Sequence, residues 1–307
     1  MLNPTGRLLR HSVIWAVIFA ALLFMFHHFE SEKAEDLSDE QIEITVLTEN
    51  GPTTMTAAEY LTQAVAGEMP ASYGAEALKA QAVAIRSYVL AGARHDNADV
   101  CTDHRCCLSF CAEDELRSSF GENFDQYMNA IRSAVEETDG QVLTYQGCII
   151  RAAFHASSAG STENSADVWT PLPYLVAVSS PETAATVPGL VTTKEYSPED
   201  LAALLGLDPH TPPETWLSGC EPDASGRVRY LRIAGQTLSG GFVRSALGLR
   251  STDFSVQYEN GSFCFTAAGY GHGVGMSQEG ARILASEGWT YDEILAHYYP
   301  GTELSVN

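Results

Sequence analysis

The chain has 307 residues, with 17 Lys+Arg against 39 Asp+Glu, a net charge of −22, and 45% of its residues are hydrophobic. That apolar share fits a globular protein of one large domain or two modest ones and excludes a disordered chain. A chain this acidic is ill-suited to a phosphate backbone, so no nucleic-acid partner is expected. Its seven cysteines are too few and too clustered for a disulfide scaffold.

The charge is partitioned along the chain. Residues 1–29 hold Arg7 and Arg10 and no acid, so the remainder carries 15 basic and 39 acidic residues, a net −24. The apolar run over 12–29 is short but long enough for a transmembrane anchor. Its basic front and its acidic rear (Glu30, Glu32, Glu35, Asp36) predict a cytoplasmic tail over 1–11 and an extracytoplasmic body. The expected localisation is therefore the cell membrane, crossed once. A cleaved signal peptide is the rival reading, although no small-x-small site follows. Residues 30–41 read as an acidic, solvated stalk, and the body runs over 42–307.

Within the body, Ile42, Ile44 and Val46 alternate with polar residues and predict a strand. Thr56-x-x-Glu59 is a capping box opening a helix to about Gly67, which Pro70 stops. GAEALKAQAVAIRSYVLAGA predicts a second helix with Lys79 and Arg86 away from its apolar side. QVLTYQGCIIRAAFHASS reads as two strands turning near Gln146-Gly147. Ser197 and Thr211-x-x-Glu214 cap two short helices. Asn260-Gly261 makes a hairpin of FSVQYENGSFCFTA, and Thr290 with Glu293 boxes a last helix. Helices and strands intersperse without βαβ alternation, so the expected fold class is α+β, a mixed sheet with packed helices.

Glu68 is the acid singled out by position. It follows Leu61 and Val65 on an apolar face and lies in the last turn of its helix. There the negative helix end and apolar surroundings both disfavour its ionisation, as a general acid working near neutral pH requires. An exposed carboxylate at a fraying end is the plainer alternative. His155 and Ser157 end an apolar strand, a common place for cleft residues. GYGHGVGMSQ alternates glycines that let a backbone approach a ligand, with His272 and Gln278 as cleft candidates. His95, Cys101, His104, Cys106, Cys107 and Cys111 fall within 17 residues. Thiolates with imidazole favour zinc in a closed structural site, against the alternative of a disulfide with spare thiols. Cys148, Cys220 and Cys264 are isolated and read as buried thiols.

GEMPASYGAEALKAQAVAIRSY resembles the stage II sporulation protein D family, which is grouped with the amidase enhancer LytB. FHASSAGSTEN, VWTPLPYLVAVSSPE, GYGHGVGMSQEGA and YDEILAHYYPGTEL extend the likeness in order over nearly all of 42–307. The resemblance implies a membrane-anchored lytic transglycosylase of peptidoglycan glycan strands, with Glu68 as catalytic acid/base and 1,6-anhydromuramic ends as product. The alternative it allows is a non-catalytic activator of a wall amidase. The same resemblance implies Lys79, Arg86, His155, Ser157, Tyr174, His272 and Gln278 as substrate-binding residues. It also implies zinc on His95, Cys101, Cys106 and Cys107, with Cys106 where the family has histidine, so that His104 or Cys111 remain possible ligands. Implied partners are the stage II sporulation proteins P and M during forespore engulfment. Ala159 stands where the family has glycine.

Overall fold

The computed structural model describes residues 37–103, 106–208 and 210–306. The expected tail and anchor lie outside the described residues, as does His104. Among the described residues no helix is long and apolar enough to cross a membrane.

The body opens with strands β1 (Glu43–Thr48) and β2 (Gly51–Thr56), paired antiparallel. The second carries Gly51, Pro52 and exposed threonines, which conceal it in sequence. It survives because it is a sheet edge, where a missing proline amide costs no ladder bond. The capping box forms as expected, with Glu59 N donating to Thr56 Oγ1 and Thr56 N to Glu59 Oε2, both at 3.2 Å. It starts helix α1 (Ala57–Glu68), whose last bond is Met69 N to Val65 O at 2.9 Å. Pro70 then withholds the next amide, and a single 3-10 turn leads into α2 (Ala75–Leu90).

Helix α2 is not amphipathic but central. Its many alanines let α1, the later helices and strand β4 approach it from several sides. Arg86, expected in a substrate groove, is therefore 1% exposed and enclosed. Its Nη2 lies 2.6 Å from Asp39 Oδ2, its Nε donates to Asp39 Oδ1 at 2.8 Å, and its Nη1 donates to the Gln141 carbonyl at 3.0 Å. Asp39, assigned to a solvated stalk, is 2% exposed, and its amide donates to Asp139 Oδ1 at 2.7 Å. The compact unit accordingly begins at Ser38. Asp39→Ala leaves a buried guanidinium without its carboxylate and should cost about 3–5 kcal/mol in urea unfolding. A loss below about 1 kcal/mol would contradict this.

Strand β3 (Val100–Cys101) runs parallel to β1, and α3 (Glu113–Phe120) and α4 (Phe124–Glu136) follow. β4 (Gln141–Tyr145) turns at Gln146-Gly147, both at positive φ, into a very short β5 (Cys148–Ile149). The expected continuous second strand is broken here. Ala152 N and Ala153 N bond the carbonyls two residues back, at 3.1 and 2.9 Å. Pairing resumes only at β6 (Phe154–His155), and a one-turn helix α5 (Ser165–Val168) comes next.

Residues between Val191 and Ala268 build a second hydrophobic core that sequence periodicity does not announce. β7 (Val191–Tyr196), α6 (Pro198–Leu205), β8 (Leu217–Pro222), β9 (Val228–Ile233), β10 (Gln236–Ser239) and α7 (Gly240–Leu247) lead to the hairpin β11 (Phe254–Glu259) and β12 (Ser262–Ala268). Two three-stranded sheets, β10-β9-β8 and β11-β12-β7, enclose Leu231, Ile233, Val243, Phe263 and Phe265. Asn260 and Gly261 take the positive φ values the hairpin needs. The helix expected after Thr211 shrinks to a 3-10 turn, Pro213–Thr215, since Pro212 and Pro213 supply no amides. The chain then returns to the first core through β13 (Met276–Ser277), parallel to β6, then α8 (Gln278–Ser286), α9 (Tyr291–Tyr298) and β14 (Glu303–Val306). The fold is α+β, with several small sheets in place of one mixed sheet.

Candidate active site

Glu68 is the final residue of α1 and is half-buried. The cysteine-rich segment passes directly over this helix end. Phe110 stacks on Tyr60 with ring centroids 5.7 Å apart, and a Cβ on Gly67 would meet the Ser109 carbonyl oxygen at 3.1 Å. Glycine at 67 thus lets the segment close down far enough for Ser109 N to donate to Glu68 Oε1 at 2.6 Å. A hydrogen bond to a carboxylate this short fixes the side chain's direction.

The backbone of Glu68 is held from the other side. Gln278, at the start of α8 and 6% exposed, donates from Nε2 to the Glu68 carbonyl at 3.0 Å and to Gln81 Oε1 at 3.4 Å. Its side chain therefore positions Glu68 rather than reaching for a ligand. Lys79 does not share this face. It lies two residues from Gln81, about 200° around the helix, and pairs with Glu76 at 3.0 Å and Glu137 at 2.7 Å. Two carboxylates already claim it. Tyr174 is also spent on packing: it is 8% exposed, beside the Tyr145 ring, and its hydroxyl accepts from Arg151 N at 3.4 Å.

The other motifs meet through buried polar contacts. Glu182 Oε1 accepts from Ser158 N at 2.9 Å and from the Ser277 hydroxyl, while Ser277 caps α8 by accepting from Gly280 N at 3.2 Å. His155 is 4% exposed, with Nε2 2.6 Å from Ser158 Oγ and Nδ1 3.2 Å from the Val274 carbonyl. Ser157 is buried and bridges to Tyr270 by paired backbone bonds. Ala159 is not among the residues at positive φ, which falls on Gly160, so alanine fits there without strain. Arg227, from the second core, reaches across to Ser161 O at 3.0 Å and Glu163 Oε2 at 3.3 Å. Burial pushes the Glu163 carboxyl up, against hydrogen bonds from Ser225 and the Asn164 amide.

His272 is half-buried, its ring centroid 5.7 Å from that of His155 and 4.7 Å from that of Trp169. Trp169 is 50% exposed, an aromatic face beside His272 that no periodicity marks out. The Val274 amide donates to His272 Nδ1 at 3.0 Å, so the ring proton sits on Nε2. Burial pulls His272 down to about 4, with Arg244 adding to it, and burial holds His155 well below its ordinary value. Both imidazoles are neutral near pH 7. The unfolded chain takes up their protons near pH 6.5, so their contribution to stability is present above that pH and lost as pH falls toward about 4. Melting temperature should drop over this window, with His272 accounting for about 3 kcal/mol, and His272→Gln should flatten the profile. An unchanged slope in that variant would refute the assignment.

His95, Cys101, Cys106 and Cys107 bring one ligand atom each within 4.8 Å of one another. His95 Nε2 lies 3.4 Å from Cys107 Sγ and 4.0 Å from Cys106 Sγ. No disulfide joins these cysteines among the described residues. Three thiols and one imidazole match a closed tetrahedral zinc set, so this group could hold the metal. Cys111 stands outside it. Burial, with Cys101 and Cys106 alongside, pushes the Cys107 thiol up to about 12. Cys148 and Cys220 are exposed and Cys264 is half-buried, contrary to the expectation of buried thiols.

Known proteins share this arrangement of sequence. The family model SpoIID, Stage II sporulation protein, matches residues 50–145, a span that includes Glu68, Gln81 and the four metal-binding candidates. Stage II sporulation protein D of Bacillus subtilis (strain 168) is 35% identical over 256 residues, covering 80% of this chain and 74% of that one. The protein of the same name from Bacillus amyloliquefaciens is 34% identical, covering 80% and 73%. The amidase enhancer of Bacillus subtilis (strain 168) is 28% identical over 78% of this chain but only 39% of its own length. The chain belongs to the SpoIID family of stage II sporulation proteins.

Proposed function

We propose that this protein is a lytic transglycosylase that cleaves peptidoglycan glycan strands after N-acetylmuramic acid, acting outside a membrane to which its N-terminus anchors it. The observation that carries this reading is Glu68, a half-buried carboxylate at a helix end, with its side chain fixed by the Ser109 amide and its backbone by Gln278. Glu68 would donate its proton to the glycosidic oxygen as the C1–O4 bond breaks. The sugar's own 6-hydroxyl then bonds to C1 and returns its proton to Glu68. One carboxylate suffices because the substrate supplies the nucleophile, whereas hydrolytic glycosidases need a second for nucleophile or water. The neutral histidines are poor rivals for the acid.

A zinc ion on the four candidate ligands would act as a cross-link, holding the segment that carries Ser109. Trp169 offers a face on which a sugar ring can stack. The stage II sporulation proteins P and M are the partners we propose, between mother-cell and forespore membranes.

The test uses the full chain in detergent with glycan strands stripped of stem peptides. Fragments one water lighter than hydrolysis products support the reading, and intact strands after incubation with folded, zinc-loaded protein sink it. The amidase-enhancer similarity favours a second reading, an activator without chemistry. Stimulation of an added wall amidase with no glycan cleavage would support that one instead.

A further inference from the structure

The four candidate metal ligands are unevenly covered. Cys101 is 8% exposed and Cys107 is half-buried, whereas Cys106 stands exposed at the surface. Their sulfurs and a ring nitrogen of His95 nevertheless lie within 4.8 Å of one another. Ligation to a cation keeps such sulfurs as thiolates, the nucleophilic form. Of the three, Cys106 is the one that a solute can reach first.

A local turn decides which sulfur can follow it. Cys106 N and Cys107 N both donate to the Asp103 carbonyl at 2.9 Å, and Cys101 Sγ lies 4.0 Å from the same oxygen. Adjacent Cα atoms are about 3.8 Å apart across a trans peptide, below the roughly 4.4–6.8 Å that a relaxed disulfide spans. Cys107 is therefore a poor disulfide partner for Cys106. Cys101, already held beside it by the turn, is the better one.

Downstream lies the segment that aims Glu68. Ser109 follows Cys106 by three residues, no more than about 11 Å of chain. Its carbonyl oxygen would be met at 3.1 Å by a Cβ on Gly67, and its amide donates to Glu68 Oε1 at 2.6 Å. Leu108 is the single buried residue of 106–111. A rearrangement at Cys106 thus has little packing to absorb it before it reaches Ser109.

We propose that Cys106 is a thiol-modification site, through which small disulfides expel the metal and release the segment that aims Glu68. Cys106 Sγ attacks one sulfur of the small disulfide, whose S–S bond breaks. One half leaves as a thiolate and the other stays on Cys106. Cys101 Sγ then attacks Cys106 Sγ, forms the protein disulfide and expels the second half as a thiolate. Two protein thiolates are oxidised and one small disulfide is reduced, so no further reactant is needed. With two of four donors joined to each other, the group no longer offers a tetrahedral set to zinc. Ser109 N then leaves Glu68, and a reductant reverses the sequence. The zinc step rests on the four-ligand reading above, and the loss of cleavage rests on the glycan-cleaving reading.

The full chain in detergent is loaded with zinc and treated with oxidised glutathione. It carries Cys148→Ser and Cys220→Ser, which silence the other exposed thiols. About one zinc per chain should pass to a colorimetric chelator. Peptide mapping should find the first glutathione adduct on Cys106 and then a disulfide between Cys101 and Cys106. The Ser109 amide should lose its exchange protection, and dithiothreitol with added zinc should restore it. Cys106→His supplies a zinc ligand that cannot form a disulfide. That variant should keep zinc and Ser109 protection, and should release zinc at least about tenfold more slowly in the same oxidant. A parent that takes up no zinc, or that keeps its zinc in oxidised glutathione, overturns the proposal. So does a first adduct on Cys101 or Cys107, equal release from Cys106→His, or Ser109 protection that survives the disulfide. The adduct map needs no variant, so it decides even where Cys106→His binds no zinc. Cleavage of stripped strands should be lost on oxidation and recovered on reduction. A reduced protein that cleaves nothing sinks the transglycosylase reading, while the zinc, adduct and exchange readouts still decide the switch.

Discussion

Glu68→Gln should lower glycan cleavage by about 10²–10⁴-fold while leaving fold, metal content and strand affinity intact. The substitution is nearly isosteric, and a glutamine carbonyl can still accept from Ser109 N, so what disappears is the transferable proton. A competing acid is Glu279, one residue beyond Gln278. Its oxygens are taken by the Tyr73 hydroxyl at 2.7 Å and Arg282 Nε at 2.6 Å, which suits a structural brace between the turn after Glu68 and helix α8. Glu279→Gln should therefore change cleavage by no more than about the few-fold expected of small positional shifts. Measured on stripped strands, the two variants separate the candidates. A Glu68→Gln protein with ordinary turnover, or a Glu279→Gln protein as inactive as the Glu68 variant, would move the acid elsewhere. Ser109→Pro, which deletes the amide that aims the carboxylate, should fall between them.

Local signals in the sequence correspond to local bonds. Thr56 and Glu59 cap a helix through atoms three residues apart, and Asn260-Gly261 makes a turn its own backbone requires. The four metal-binding candidates lie within 13 positions, from His95 to Cys107, so clustering marks the segment, while the choice of these four among its six cysteines and histidines is what the family resemblance implies. Arg86 shows where such reading ends. An arginine among alanines looks like a solvated helix face, and Asp39 looks like part of a charged stalk. Their pairing across 47 positions has no signature in either neighbourhood. Gln278 reads as a cleft residue in sequence and Gln81 as nothing, for the same reason: a buried amide pair 197 positions apart leaves no signature in either segment. Trp169 was hidden differently. Its role comes from being left exposed beside His272, and exposure of an aromatic is decided by what the rest of the chain leaves uncovered. A cavity lined by Lys194, Arg244 and Arg250 is spread over β7, α7 and the glycine-rich loop, so no single segment of this acidic chain looks basic.

If zinc fills the four-ligand group as proposed, removing it should have the second-largest effect, and it should act on Glu68 from a distance. Among the described residues the stretch from His95 to Cys111 contains only the two-residue strand β3 and packs few side chains of its own, Val100 and Leu108 with parts of Cys107, Phe110 and Cys111. Structural zinc sites in small domains contribute about 10–16 kcal/mol of apparent binding energy, far more than those contacts can replace. Stripping the ion with a chelator, or Cys107→Ser, should therefore release this segment while the rest of the body stays folded on its two cores. The direct readout is hydrogen exchange: the Ser109 amide, bonded to Glu68 in the closed segment, should lose its protection, whereas amides in α2 and β12 should keep theirs. Zinc content should fall from about one ion per chain, the stoichiometry of a single four-ligand site. Cleavage should decline in step with Ser109 protection, because the carboxylate loses the donor that aims it, and restoring zinc should recover both. Protection at Ser109 that survives chelation would show that packing of Phe110 on Tyr60 alone closes the segment. Loss of cleavage with that protection intact would mean that the metal influences the site by a route other than the Ser109 amide.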